Sequence, residues 1–79
     1  MRILDQSSDC ALNNAIVYLT ISEAIEFRDS LSEIIENPKN NHTHILSEDY
    51  NKELTVCIYD IQNINEFDAR SQRLIRDDF

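Results

Sequence analysis

The chain has 79 residues, 15 of them acidic and 7 basic, giving a net charge of −8. A chain this short forms one domain with a thin core, burying roughly 60–65% of its unfolded surface, and its negative field disfavours general binding to nucleic acid or anionic membranes. Glycine is absent, which argues against the P-loop, the dinucleotide fingerprint and the nucleophile elbow, since each needs glycine where backbone meets a phosphate or turns through positive φ. Tight turns are therefore expected on asparagine, the next most tolerant residue, at Asn13-Asn14, Asn37, Asn40-Asn41, Asn51 and Asn63. Cys10 lies in a polar stretch and Cys57 in an apolar run. Two distant cysteines without a secretory leader fit a reducing compartment, and the expectation is a cytoplasmic protein. The longest apolar run, residues 15–19, is far too short to span a bilayer.

In chain order, residues 2–5 read as an edge strand. Residues 14–19 (Asn-Ala-Ile-Val-Tyr-Leu) read as a second strand, being β-branched and aromatic with turn residues before them. Thr20-Ile21-Ser22-Glu23 is a capping box that opens a helix over Ile21–Glu36. Stepping about 100° per residue gathers Ile21, Ala24, Ile25, Phe27, Leu31, Ile34 and Ile35 on one broad stripe. Ser22, Glu23, Glu26, Asp29, Ser30, Glu33 and Glu36 fill the other face, and Asn37-Pro38 stops the helix. Residues 42–47 and 53–59 read as a hairpin joined at Glu48-Asp49-Tyr50-Asn51. Residues 68–77 read as a second helix with a thin apolar stripe of Phe67, Leu74 and Ile75.

The order β-β-α-β-β-α predicts an α+β fold. The expectation is a four-stranded, mostly antiparallel sheet with the long helix on one face. If Val17, Leu19, Leu54, Val56 and Ile58 face that helix, then Ile16, Tyr18, Cys57 and Tyr59 face away. A half-exposed strand should carry polar residues there. Either the tail helix, which offers few large apolar residues, or a second subunit covers this face. Contiguous exposed apolar surface usually marks an interface, so the favoured expectation is that these four residues are the contact of a homo-oligomer.

Four sets of residues carry candidate chemistry. His42-Thr43-His44 places two imidazoles on one side of a strand, two of the ligands a transition metal would need. Cys10, Cys57, Glu48 or Asp49 could supply more, but no spacing announces them, and the leading reading is local hydrogen bonding with no metal. Arg28 falls inside the apolar stripe of the long helix. A buried guanidinium needs an acceptor, either a structural carboxylate such as Asp60 or Asp68 or a bound anion. Arg70, Arg73 and Arg76 recur every three residues on the tail helix, as a stripe for a phosphorylated ligand with Tyr50 or Tyr59 to stack on a base, or as ordinary surface pairs for Glu66, Asp68, Asp77 and Asp78. A Cys57–His44 couple lacks an orienting group and an oxyanion hole, so no catalytic residue and no cofactor is expected.

The string Leu19-Thr20…Glu23-Ala24…Arg28-Asp29-Ser30-Leu31, then Asn37-Pro38…His42-Thr43-His44, then Glu48-Asp49-Tyr50…Glu53-Leu54-Thr55-Val56-Cys57-Ile58-Tyr59 resembles a family of small uncharacterised proteins from bacterial and phage genomes. The resemblance implies that Arg28 and the two histidines belong to a recurring pattern. In size and character the chain also looks like phage-encoded counter-defence proteins, some of which sequester a nucleotide signal while others are acidic inhibitors of a basic site. The leading expectation is a non-enzymatic, homo-oligomeric protein that captures a small anionic, nucleotide-like ligand through Arg28, His42, His44, Tyr50, Arg70 and Arg73. The alternative is an acidic inhibitor or regulator whose helix face of Glu23, Glu26, Asp29, Ser30 and Glu33 docks on a basic partner. A metal-dependent enzyme built on His42 and His44 is a distant third.

Overall fold

A computed structural model describes residues 1–79, with strands β1 (Ile3–Asp5) and β2 (Cys10–Leu12), helix α1 (Ile21–Glu36), strands β3 (His42–Leu46) and β4 (Glu53–Cys57), and helix α2 (Ala69–Asp77). The fold is α+β and its strands form two separate two-stranded antiparallel sheets, in place of the single sheet of four expected from sequence. Residues divide into two compact units, Tyr18–Tyr59 and a second made of Met1–Val17 with Asp60–Phe79. No helix is long and apolar enough to cross a membrane.

The Tyr18–Tyr59 unit is a helix packed on a hairpin. Both halves of the capping box form: the Thr20 hydroxyl accepts from the Glu23 backbone N–H, and Thr20 N–H donates to Glu23 Oε1 at 2.9 Å. The second oxygen of Glu23 accepts from Glu48 N–H at 2.8 Å, so one carboxylate both starts α1 and anchors the hairpin loop. These bonds, with Thr20 first and Glu48 second, hold the Glu23 carboxyl below its ordinary range. At the other end Asn37 N–H bonds Glu33 O, and Pro38 follows.

Strands β3 and β4 pair His42↔Cys57, Thr43↔Val56, His44↔Thr55, Ile45↔Leu54 and Leu46↔Glu53. One face carries Thr43, Ile45, Leu54 and Val56, all buried or half-buried, and α1 packs against β3. Ile34 and Ile45, each 3% exposed, are the core of this unit. The helix turns in a narrower line than its sequence suggests. Phe27, Leu31 and Ile34 are covered together with Glu23 and Ser30, whereas Ile21, Ala24, Ile25 and Ile35 are exposed. A two-stranded sheet is too narrow to cover the whole apolar arc of a helix.

The other unit pairs β1 with β2 as Ile3↔Leu12, Leu4↔Ala11 and Asp5↔Cys10. The Asp5 carboxylate accepts from Ser8 Oγ and Ser7 N–H, which lowers its pKa, and Asp9 completes the turn at φ 56°. This turn draws the second strand back to residues 10–12, so the strand expected over residues 14–19 does not form. Residues 14–20 carry no regular structure, and strand propensity without a paired neighbour leaves Ile16 77% and Tyr18 87% exposed. Helix α2 is capped by Asp68, whose carboxylate accepts from Ser71 N–H at 2.7 Å, and Leu74 is its buried residue. Arg2 Nε donates to the carbonyls of Leu74 and Ile75, satisfying carbonyls that the helix end leaves without partners.

The positive-φ positions are Asp9, Tyr50 and Asp78, and none is one of the asparagines expected there. Aspartate shares with asparagine a short side chain that bonds local backbone. Tyr50 has no such excuse and is strained.

Candidate functional site

The six residues expected to make one ligand pocket take up different surroundings. Arg28 is exposed and pairs with its neighbour Asp29, Nε to Oδ1 at 3.0 Å, with both side chains well in solvent. It is not a buried guanidinium, and neither Asp60 nor Asp68 is its partner. Tyr50 sits at the tip of the β3–β4 turn, 77% exposed, held at φ 60° by a knot of bonds: its N–H to Ser47 O, Ser47 Oγ to Asp49 Oδ1, and Asn51 N–H to the same carboxylate oxygen. The Ser47 hydroxyl and Asn51 N–H hold Asp49 below its ordinary pKa.

Arg70 and Arg73 belong to α2, in the other unit, and both are engaged there. Arg70 Nε donates to Asp9 Oδ1 at 2.7 Å and its Nη1 to Phe79 O at 2.8 Å. The Arg73 guanidinium lies 5.1 Å from the centre of the Phe79 ring, and Arg76 bonds Gln72 and Asn65. The periodic arginines thus tie their own unit together, and the expected pairing with Glu66, Asp68, Asp77 and Asp78 is replaced by these contacts.

His42 and His44 are brought together, with ring centroids 5.3 Å apart in an edge-on arrangement. They share the hairpin face that points away from α1 with Glu53, Thr55 and Cys57, all exposed. His44 Nδ1 lies 2.6 Å from Glu53 Oε1 and 2.9 Å from Thr55 Oγ1, and His42 Nδ1 lies 3.1 Å from Asn41 Oδ1. No group of three or more His, Cys, Asp and Glu side chains converges as a metal cage. An open pocket of about 360 Å³ lies where α1 hands over to β3, lined by Glu33, Ile34, Lys39, Asn40, Asn41, His42 and Thr43. Of the six expected ligand residues only His42 reaches it.

An exposed feature of this unit is one the periodicity already contains. Ile21, Ala24, Ile25, Arg28 and Ile35 form a second ridge on α1, about a third of a turn from the buried one. Ile21 is 80%, Ile25 45% and Ile35 61% exposed, and Tyr18 and Leu19 precede them in solvent. Glu36 and Asp29 border this ridge on one side, Glu33 and Glu26 lie farther round the same side of the helix, and all four are exposed. Ser22 Oγ of the same flank bonds Glu48 of the hairpin loop. By contrast Ile16 and Tyr18 lie on no strand, so the sheet face expected from Ile16, Tyr18, Cys57 and Tyr59 is not built. No protein-family model, curated protein or solved structure matches the chain.

Proposed function

We propose that this chain is a non-enzymatic protein-binding module that docks through the outward ridge of α1 onto a partner presenting basic residues around an apolar surface. The observation that supports this reading is the ridge itself, with isoleucines in solvent beside a row of carboxylates. An apolar strip lowers its free energy by being covered, and Arg28 at its centre is of the type enriched at interface hot spots. The flanking acids select charge: a second copy would set carboxylates against carboxylates, whereas a cationic amphipathic helix matches both strip and flank.

A synthetic helical peptide with leucine on one face and lysine on the flanks is a direct probe. Fluorescence anisotropy should show saturable binding that weakens as salt rises and is lost in the Ile21→Glu, Ile25→Glu double variant, with circular dichroism unchanged. Binding that ignores these substitutions would overturn the reading. So would a stable dimer, seen by sedimentation and broken by the same substitutions, since the ridge would then serve a second copy.

A second reading, capture of a small anionic, nucleotide-like ligand, draws on the open pocket beside His42. Lys39, Asn40, Asn41 and His42 offer it donors. Saturable binding of a nucleotide by the wild type that is lost in Lys39→Ala would support it, and equal affinity in that variant would count against it.

A further inference from the structure

We infer that His42 and His44 form a bidentate chelate for a late first-row divalent ion such as Zn²⁺ or Ni²⁺, with water completing the coordination shell. The first support is spacing. Residues i and i+2 of a strand share a face, and the two ring centroids stand 5.3 Å apart at an interplanar angle of 79°. A metal–nitrogen bond of about 2.0–2.1 Å puts each ring centre about 3.2 Å from the ion, so two imidazoles at a tetrahedral angle lie about 5 Å apart. The observed separation of the ring centres is of that size.

The second support is the tautomer of each ring. His42 Nδ1 faces the amide oxygen of Asn41, and His44 Nδ1 faces both the Thr55 hydroxyl, at 2.9 Å, and the carboxylate of Glu53, at 2.6 Å. The amide and carboxylate oxygens only accept and the hydroxyl is able to accept, so the arrangement suits a proton on each Nδ1, the tautomer that leaves Nε2 to a metal. A histidine that donates its other N–H to a carboxylate or carbonyl is held as metal-ligating histidines are, in a fixed tautomer and a fixed plane. The local hydrogen bonds that satisfy these imidazoles therefore also prepare them. Both rings are exposed, and the chain's net charge of −8 draws cations towards its surface. No third His, Cys, Asp or Glu converges with them, so the site is an open chelate rather than a closed structural one. It stands independently of the docking reading.

Equilibrium dialysis of the full chain against ZnCl₂, repeated with NiCl₂, tests it. One ion per chain is expected, with affinity falling by about tenfold or more in His42→Ala or His44→Ala, because the second bond of a chelate forms at high effective concentration. Glu53→Gln should weaken binding by about tenfold through loss of the orienting carboxylate, and Cys57→Ser should leave it unchanged. Circular dichroism should not move, since the substituted side chains are exposed. Failure to take up Zn²⁺ at millimolar concentration would overturn the inference. Undiminished uptake in both histidine variants, or displacement by Mg²⁺, would assign the ion to the acidic surface and overturn it equally.

Discussion

Replacing Tyr50 by glycine should stabilise the hairpin that carries the histidines. Tyr50 sits at φ 60°, where the Cβ of an L-residue meets its own carbonyl at a cost of roughly 1–2 kcal/mol. Its ring is 77% exposed, so removing it forfeits little burial. Glycine gives back about 0.5–1 kcal/mol through the greater freedom of its unfolded chain. The net gain is about 0.5–1 kcal/mol, which for a chain of this size raises Tm by roughly 2–8 °C. Alanine keeps the Cβ and should change stability by less than about 0.5 kcal/mol. Thermal and urea unfolding of wild type, Tyr50→Ala and Tyr50→Gly, followed by circular dichroism, separates the ring from the backbone. A glycine variant no more stable than wild type would refute the strain argument, and an alanine variant that gains as much as glycine would place the cost in the ring.

Thr20→Ala should cost about 1 kcal/mol by removing the N-cap of α1, read as a lower urea midpoint; no change would mean that Glu23 suffices to start the helix. Ile34→Ala and Ile35→Ala are adjacent on α1 but should differ: Ile34 is 3% and Ile35 61% exposed, so the first should cost about 2–4 kcal/mol and the second under about 0.5 kcal/mol. Equal losses would show that the outward ridge is covered. Acid should act on both helices, because Glu23 and Asp68 are depressed from ordinary values of 4.5 and 3.8, chiefly by the backbone N–H groups of Thr20 and Ser71. Depressed carboxylates contribute stability that is present above those ordinary values and is lost as pH falls through the lower folded ones. Helical ellipticity should therefore hold from neutrality to about pH 5 and fall below it, and Glu23→Gln with Asp68→Asn should flatten that fall.

Local chemistry was legible wherever a segment carries its own partners. Helix α1 begins and ends where Thr20, Glu23 and Asn37-Pro38 place it, because capping bonds reach only three or four residues along the chain. The β3–β4 hairpin and α2 follow for the same reason, as do the shared face of His42 and His44, which strand alternation alone requires. Tertiary structure decided what those elements meet. The segment at residues 14–20 has strand propensity but no paired strand, and the short turn closed by Asp5 and Asp9 put β2 at Cys10–Leu12 instead. The arginines of α2 were spaced like a ligand stripe, yet Arg70 meets Asp9, which is near it only once the unit has folded, while Arg73 lies over Phe79 and Arg76 bonds Gln72 and Asn65. Arg28 shows the limit most clearly. A helical wheel places it among apolar residues but cannot say which part of the apolar arc a two-stranded sheet is wide enough to cover.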